Sequence, residues 1–520
     1  MSATPAFDRV GAGWFSPSHR GPTPAAAAAL LAAGVLGAVG GIAPVWALAA
    51  AVVAFAVAVS AAYSERLPRA FLAALAALLL VYLVLGKGGA YLNVGGVFVG
   101  ELVLAFGLLA AVASGVAPLA FRTPLAWLVV AFGICGALQT IPYVPVYGRD
   151  ALRDAVVWGY GLFALLAAAC LIRTGWVPRT VAEYGRYLAW FPFWVPPLWA
   201  IFTYGGAAAP KVPGTGGEVP LIFFKSGDPA FHLTGIAAFV MLGLHEYGRA
   251  RKPTGLTRLL GPGEWVWWGA WLVAFAITAA TSRASLLAML IALSLVPLVR
   301  PATKLLRPAV VTGALVSLFF ASNIRVEVRD GRYLSPQEMV ANLRSFGGED
   351  APGNRDATRE WRLQWWKDIV GYTVYGKYFW TGKGFGVNLA DDDGYQVEDG
   401  PSPLRSPHSG HLSILARAGV PGFTLWVVMQ AGFAVALARA YARMRRAGED
   451  WWARVDLWLL AYWTAFQVNT GFEVALEGPH GGIWFWSLFG FGLAALDAQR
   501  RLPRALRRGT GRPEGAPWTA

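Results

Sequence analysis

Cysteine is almost missing: the 520 residues hold two, Cys135 and Cys170, both inside apolar runs where they serve as small hydrophobes. That excludes a disulfide framework and a thiolate metal site, and it argues against redox chemistry. Charge is scarce too, at 14% of residues against 56% hydrophobic, which excludes an ordinary water-soluble domain. The alternation of polar and apolar residues that marks a membrane β-barrel is absent from stretches such as 71–84 and 236–244. No internal repeat is visible, and no low-complexity tract beyond an Ala-rich beginning. Residues 1–23 are polar, with Arg9 and Arg20 among several Pro and Gly, so the first apolar segment reads as a retained span and not as a cleaved signal.

What fills the chain instead is a series of apolar runs of roughly 17 to 25 residues, each long enough to cross a bilayer as a helix. They predict an all-α, polytopic integral membrane protein with about 14 transmembrane helices. The spans fall near 24–42, 44–62, 69–86, 96–118, 124–142, 154–172, 187–204, 230–247, 264–281, 283–299, 307–322, 421–440, 453–471 and 481–498. Alternate connections carry the basic residues: Arg66 with Arg69, Arg122, Arg173 with Arg179 and Arg186, Arg249 with Arg251, Arg300 with Lys304, and Arg439 with Arg443, Arg445 and Arg446. By the positive-inside rule that side is cytoplasmic, and both termini lie there. The net charge of +14 is then a mark of topology, facing anionic lipid, and not of nucleic-acid binding.

The chain divides into a cytoplasmic tail (1–23), N-terminal transmembrane helices (24–262), transmembrane helices carrying a Ser-Arg motif (263–322), one large, mostly helical exoplasmic loop (323–420), C-terminal transmembrane helices (421–498) and a basic cytoplasmic tail (499–520). Within 323–410, eleven Lys and Arg nearly balance thirteen Asp and Glu, the composition of a folded module. Ser335-Pro336-Gln337-Glu338 reads as a capping box opening a short helix. A second helix is predicted over 357–372, followed by a Gly-rich turn at 382–386 and an acidic loop. A third helix, begun by Ser406 and Pro407, is expected to break at Gly419-Val420-Pro421-Gly422 before re-entering the membrane.

Several polar residues fall on the predicted outer face. Arg283 sits in Thr281-Ser282-Arg283-Ala284-Ser285, between two closely spaced spans, where positive charge is otherwise depleted. Arg355, Arg359 and Arg362 share one helical face, while Trp361, Trp365 and Ile369 gather on another. His408 is expected in the first turn of its helix, where the positive dipole end keeps the ring neutral, and His411 follows on the same side. Arg149-Asp150 with Arg153-Asp154 is a cluster able to neutralise itself. Gln139 with Tyr143, and Glu473, Glu477 and His480, are further candidates. Asp391-Asp392-Asp393 reads as a solvated acidic run, and no metal is assigned to it.

In order along the chain, Ser282-Arg283-Ala284, Arg362-Leu363-Gln364-Trp365-Trp366-Lys367, Gly382-Lys383-Gly384-Phe385-Gly386, Pro407-His408-Ser409-Gly410-His411-Leu412 and Gly419-Val420-Pro421-Gly422 resemble the O-antigen ligase and polymerase family of bacterial envelope glycosyltransferases. The resemblance covers about 263–498. Trp380-Thr381 stand where the family has a proline before the Gly-rich turn, and Ser409 where asparagine is common.

The resemblance implies a metal-independent, inverting transfer of glycan from an undecaprenyl-pyrophosphate donor to a glycan, lipid or protein hydroxyl, with no cofactor. The site would face the exoplasmic side of the bacterial inner membrane. It further implies that Arg283 and Arg362 hold the pyrophosphate and that His408 activates the acceptor. Arg359, His411, Gly382, Gly384, Arg153 and Glu473 are possible supporting residues. A lipid-linked glycan flippase or other transporter is the alternative, on the number of spans alone, although a single large insert without internal duplication is unlike transporter architecture.

Overall fold

The computed structural model describes residues 65–502 apart from 206–208, 214, 216–217, 225–226, 247–263, 301–305, 323, 330–331, 339, 341–354 and 397–403. The predicted spans 24–42 and 44–62, and both predicted tails but for the last residues before 503, lie outside it.

The protein is mostly helical. From the N-terminal side come α1 (Leu67–Leu85), α2 (Val99–Ala113), α3 (Pro124–Leu138), α4 (Arg149–Gly159), α5 (Gly161–Thr174), α6 (Val177–Leu188), α7 (Phe191–Tyr204) and α8 (Asp228–Met241). Then follow α9 (Glu264–Thr281), α10 (Arg283–Val299) and α11 (Leu306–Ser322). The insert supplies α12 (Arg355–Val374) and the short α13 (Leu389–Asp393); α14 (Gly410–Arg446), α15 (Asp450–Thr470) and α16 (Pro479–Arg500) complete the chain. By length and composition, four helices among the described residues can cross a membrane alone, and a fifth crossing results if α4 and α5 count as one bent span. The predicted span at 154–172 is that bent pair: the axis turns by 41° at Tyr160.

Two helices form the centre. Nearly every residue of α8 and α16 is buried, as expected of helices apolar on all sides. Small residues allow close crossings there. A Cβ on Gly490 of α16 would lie 2.3 Å from the Ala164 carbonyl oxygen of α5, so the two backbones meet directly. On the other flank, α15 packs against α8, α10 and α14.

The insert departs from its expected form at both ends. It opens with an antiparallel hairpin, β1 (Val326–Arg329) and β2 (Arg332–Leu334), where alternating Val-Glu-Val-Arg has strand and not helix periodicity. The Ser335 hydroxyl then accepts from the Glu338 amide at 3.2 Å, as a capping box requires. The third helix does not begin at Ser406 or Pro407. Its cap is Ser409, in extended conformation, whose side chain accepts from the Leu412 amide. The predicted break is present, with Gly419 at φ 65° and ψ −172° inside α14. A small core of its own, Trp365, Ile369, Leu389, Ala390, Leu415 and Ala416, holds α12 and α13 against the first half of α14.

Candidate active site

The helix break generates the site's frame. Pro421 has no N–H to offer the Arg417 carbonyl one turn back, and Val420 turns its N–H away to the Phe379 carbonyl at 2.8 Å. Two helix carbonyls are thereby left over, and the Gly-rich turn takes both: Lys383 N–H donates to Ala416 at 2.7 Å and Gly384 N–H to Arg417 at 3.0 Å. Main chain must lie against main chain for this, which is why side chains are excluded. Gly382 has φ 62°, and a Cβ on it would stand 2.4 Å from the Arg417 carbonyl; one on Gly384, at φ 84°, would enter the Tyr143 ring.

The candidates Gln139 and Tyr143 are the shelf beneath that turn. Phe385 N–H donates to the Gln139 carbonyl at 3.3 Å, and the Gln139 side chain reaches the Trp380 carbonyl at 3.5 Å. The cluster on α4 does not neutralise itself. Its acids serve the insert: Asp154 pairs with Arg417 at 2.8 Å and Arg405 at 3.2 Å and accepts from the Gly386 amide, and Asp150 pairs with Arg405 at 3.1 Å. Arg149 and Arg153 are left exposed. Arg153 therefore takes no part in the ion pairs that tie α4 to Arg405 and Arg417.

Two acids of the triplet hold a cation of the protein's own, while Asp391 accepts from Asn388 and Gln396. The Lys383 ammonium is paired with both Asp392 and Asp393, and the Tyr372 ring is 4.3 Å away. Burial opposes the charge on Lys383, but its hydrogen bonds to the two carboxylates outweigh that and raise its pKa. Trp365 Nε1 donates to Asp393 at 2.6 Å, so this buried tryptophan is a core strut.

His408 is bracketed on both sides. On α12, Arg362 and Trp366 share a face one turn apart; Trp366 Nε1 donates to the Pro407 carbonyl at 2.8 Å, and Arg362 Nη1 to the Phe472 carbonyl at 3.5 Å. On the far side, the Gly410 amide donates to the Glu473 carbonyl at 3.2 Å. Between these ties His408 adopts φ 52°, the only non-glycine residue among those described with a positive φ. It stands two residues before the helix, on the far side of the cap Ser409, so the reason given for a neutral ring, a place in the first turn, falls away. The residue is part-exposed, with its ring Nδ1 enclosed.

Arg362 is buried enough to lower its pKa, with Glu473 acting against the shift, and its Nε is enclosed without a hydrogen-bond partner. Arg283 opens α10 immediately after its cap, Ser282, which accepts from the Ser285 amide at 3.2 Å. Gly227 lies against that first turn. A Cβ on it would sit 3.1 Å from Ser285 Oγ, 3.5 Å from Asn469 Nδ2 and 3.8 Å from Glu473 Cγ. The turn between α15 and α16, with Phe472 and Glu473 at its start, thus gathers the Arg283 turn, Arg362 and the His408 segment.

The remaining candidates are distributed differently. Both ring nitrogens of His411 are occupied, Nε2 by the Gln467 carbonyl at 3.0 Å and Nδ1 by Trp426 Nε1 at 3.1 Å, so this histidine braces α14 against α15. The side chains of Arg355 and Arg359 lie outside the described residues. Glu477 is enclosed beside Arg417, Ser413 and Ser406, with burial raising its pKa and Arg417 offsetting part of the rise. His480 starts α16 and packs edge-on against Tyr82. Sequence reasoning overlooked Arg405 and Arg417. Arg417 carried a signal, a lone cation inside the apolar run of α14; Arg405 carried none.

Residues 268–427 match the model of the O-antigen ligase family. The matched stretch runs from α9 past the break in α14, and contains Arg283, Arg362, the Gly-rich turn, His408 and Arg417. It ends before Glu473, which α15 and α16 bring to the site from outside the match. Comparison with curated proteins found no match. The family implies glycan ligation or polymerisation on lipid-linked substrates in a membrane.

Proposed function

We propose that the protein is an integral-membrane glycosyltransferase that moves glycan from an undecaprenyl-pyrophosphate donor to an acceptor hydroxyl, at a site on the outer face of the bacterial inner membrane. The basic loops support this orientation, since they fall on the side opposite the insert. A prenyl-anchored donor is confined to the bilayer, at about 0.8 kcal/mol for each buried methylene, so its reactive end is met at the membrane edge.

In this reading Arg283 and Arg362 receive the pyrophosphate. Their guanidinium groups stabilise the negative charge that grows as the anomeric C–O bond breaks, and pyrophosphate is a good enough leaving group to need no general acid. His408 accepts the proton of the acceptor hydroxyl. The freed oxygen attacks the anomeric carbon from the face opposite the pyrophosphate, which leaves with the bonding pair and inverts the configuration. A positioned base contributes about 10²- to 10⁴-fold.

The observation that carries this reading is the strained backbone at His408, tied on one side to Trp366, one turn from Arg362, and on the other to Glu473. Glycan transfer measured on membrane-inserted His408→Ala and Arg283→Ala proteins tests it: both should lose transfer, and an inserted variant of either kind that still extends glycan overturns it.

A further inference from the structure

We infer that Trp366 is a positioning residue for His408: its indole N–H pins the Pro407 carbonyl and thereby fixes the peptide plane that sets the backbone of the proposed base. The inference rests on the reading of His408 given above.

The geometry is local and closed. The Pro407 carbonyl belongs to the peptide unit that joins Pro407 to His408, so holding that oxygen fixes the plane about which φ of His408 is measured. The oxygen is held at 2.8 Å by Trp366 Nε1. Two residues after His408, the Gly410 amide is held at 3.2 Å by the Glu473 carbonyl. His408 lies between two anchored ends with φ 52°, a conformation that costs an L residue about 1–2 kcal/mol and reverts to the ordinary basins when nothing opposes it. Pro407 adds stiffness, because its ring fixes its own φ and leaves the carbonyl direction as the main remaining freedom. Trp366 is well suited to the task. Its ring lies 6.3 Å from that of Phe472, whose carbonyl faces Arg362, so the same helical face that carries the proposed pyrophosphate ligand also carries the strut. Donor-binding and proton-accepting groups are thus set in register by two residues one turn apart.

Trp366→Phe keeps the ring against Phe472 and removes only the N–H. Measured as glycan transfer by purified full-length protein, it should lower kcat about tenfold, the worth of one positioned hydrogen bond, with KM for the lipid-linked donor within about twofold of wild type. A purely structural tryptophan would lower the amount of folded protein and leave kcat per folded molecule unchanged. That result overturns the inference, as does a raised KM with kcat preserved, which would place Trp366 on the substrate. If Trp366→Phe does not accumulate in the membrane, Trp366→His serves in its place. It retains a ring N–H, so its kcat should exceed that of His408→Ala by at least tenfold, and equality with His408→Ala overturns the inference. The parallel His408→Ala measurement separates the two levels: an active His408→Ala protein sinks the assignment of the base itself, whereas an inactive one beside a fully active Trp366→Phe sinks only the role of Trp366.

Discussion

Arg417 and Asp154 meet at 2.8 Å, with the arginine side chain only 2% exposed and the aspartate 9%. The first residue belongs to the helix that leaves the site, the second to the bent pair on the N-terminal side, and nothing in the sequence separation of the two suggests their contact.

Breaking that pair should be costly. Arg417→Ala leaves Asp154 charged and enclosed beside Arg405 alone, and also frees the Val387 carbonyl now held at 2.9 Å. A loss of about 3–5 kcal/mol is expected, as for one partner removed from a buried ion pair. Thermal unfolding in detergent measures it, and the double replacement with Asp154→Asn should cost less than the sum of the two single ones.

The backbone at position 408 separates strain from chemistry. His408→Gly and His408→Ala both lose the imidazole, and transfer should fall about 10²- to 10⁴-fold in each. Glycine accepts φ 52° freely, so His408→Gly should be the more stable of the two by about 1 kcal/mol. Equal stability would show that the positive φ is not held against resistance.

Gly384→Ala places a methyl group inside the Tyr143 ring and at an unfavourable φ of 84°. We expect a loss of about 1–3 kcal/mol and an exposed insert, read as faster cleavage by protease between residues 375 and 410. Combining it with Tyr143→Ala should restore part of the stability, leaving the share due to φ.

Transfer should persist in EDTA. The Lys383 ammonium is already paired with both Asp392 and Asp393, so a divalent ion would have to displace it. Loss of activity in EDTA with recovery on one added divalent cation would refute this.

Glu477 sets a pH dependence with a definite sign. Burial raises its pKa in the folded protein, so the folded state binds more protons than the unfolded one between the two pKa values, and stability falls as pH rises through that window. Glu477→Gln removes the penalty. Its unfolding temperature should exceed that of wild type at pH 8, with the difference vanishing toward pH 4.

Much of the helical framework was legible in the sequence. The spans read at 264–281 and 283–299 coincide with α9 and α10, because unbroken apolar runs ended by a capping serine leave little freedom. The break at Gly419 was legible for a similar reason, since Gly and Pro act through their own backbones. The hairpin at 326–334 was missed because four alternating residues in a charged segment give too short a pattern. The start of α14 was misplaced because Ser406 and Ser409 both offer a cap, and only the tie from Gly410 to Glu473 favours the second. Within the candidate site, local motifs singled out Arg283, Arg362 and His408 as candidates. The partners of Asp154, the strut at Trp366 and the brace at His411 depend on contacts across dozens to hundreds of residues, which no local pattern records.

The exchange of N–H and carbonyl groups between the Gly-rich turn and the end of the first half of α14 has a bearing on how the segment tolerates change. Replacing a side chain between 411 and 418 leaves every one of those backbone links in place. Removing a single residue does not: it would swing Ser409 and His408 about 100° around the helix axis and shift them by about 1.5 Å, away from Trp366 and Glu473 alike. The number of residues in those two turns, more than their chemistry, is what keeps the His408 segment between Trp366 and the turn at Glu473.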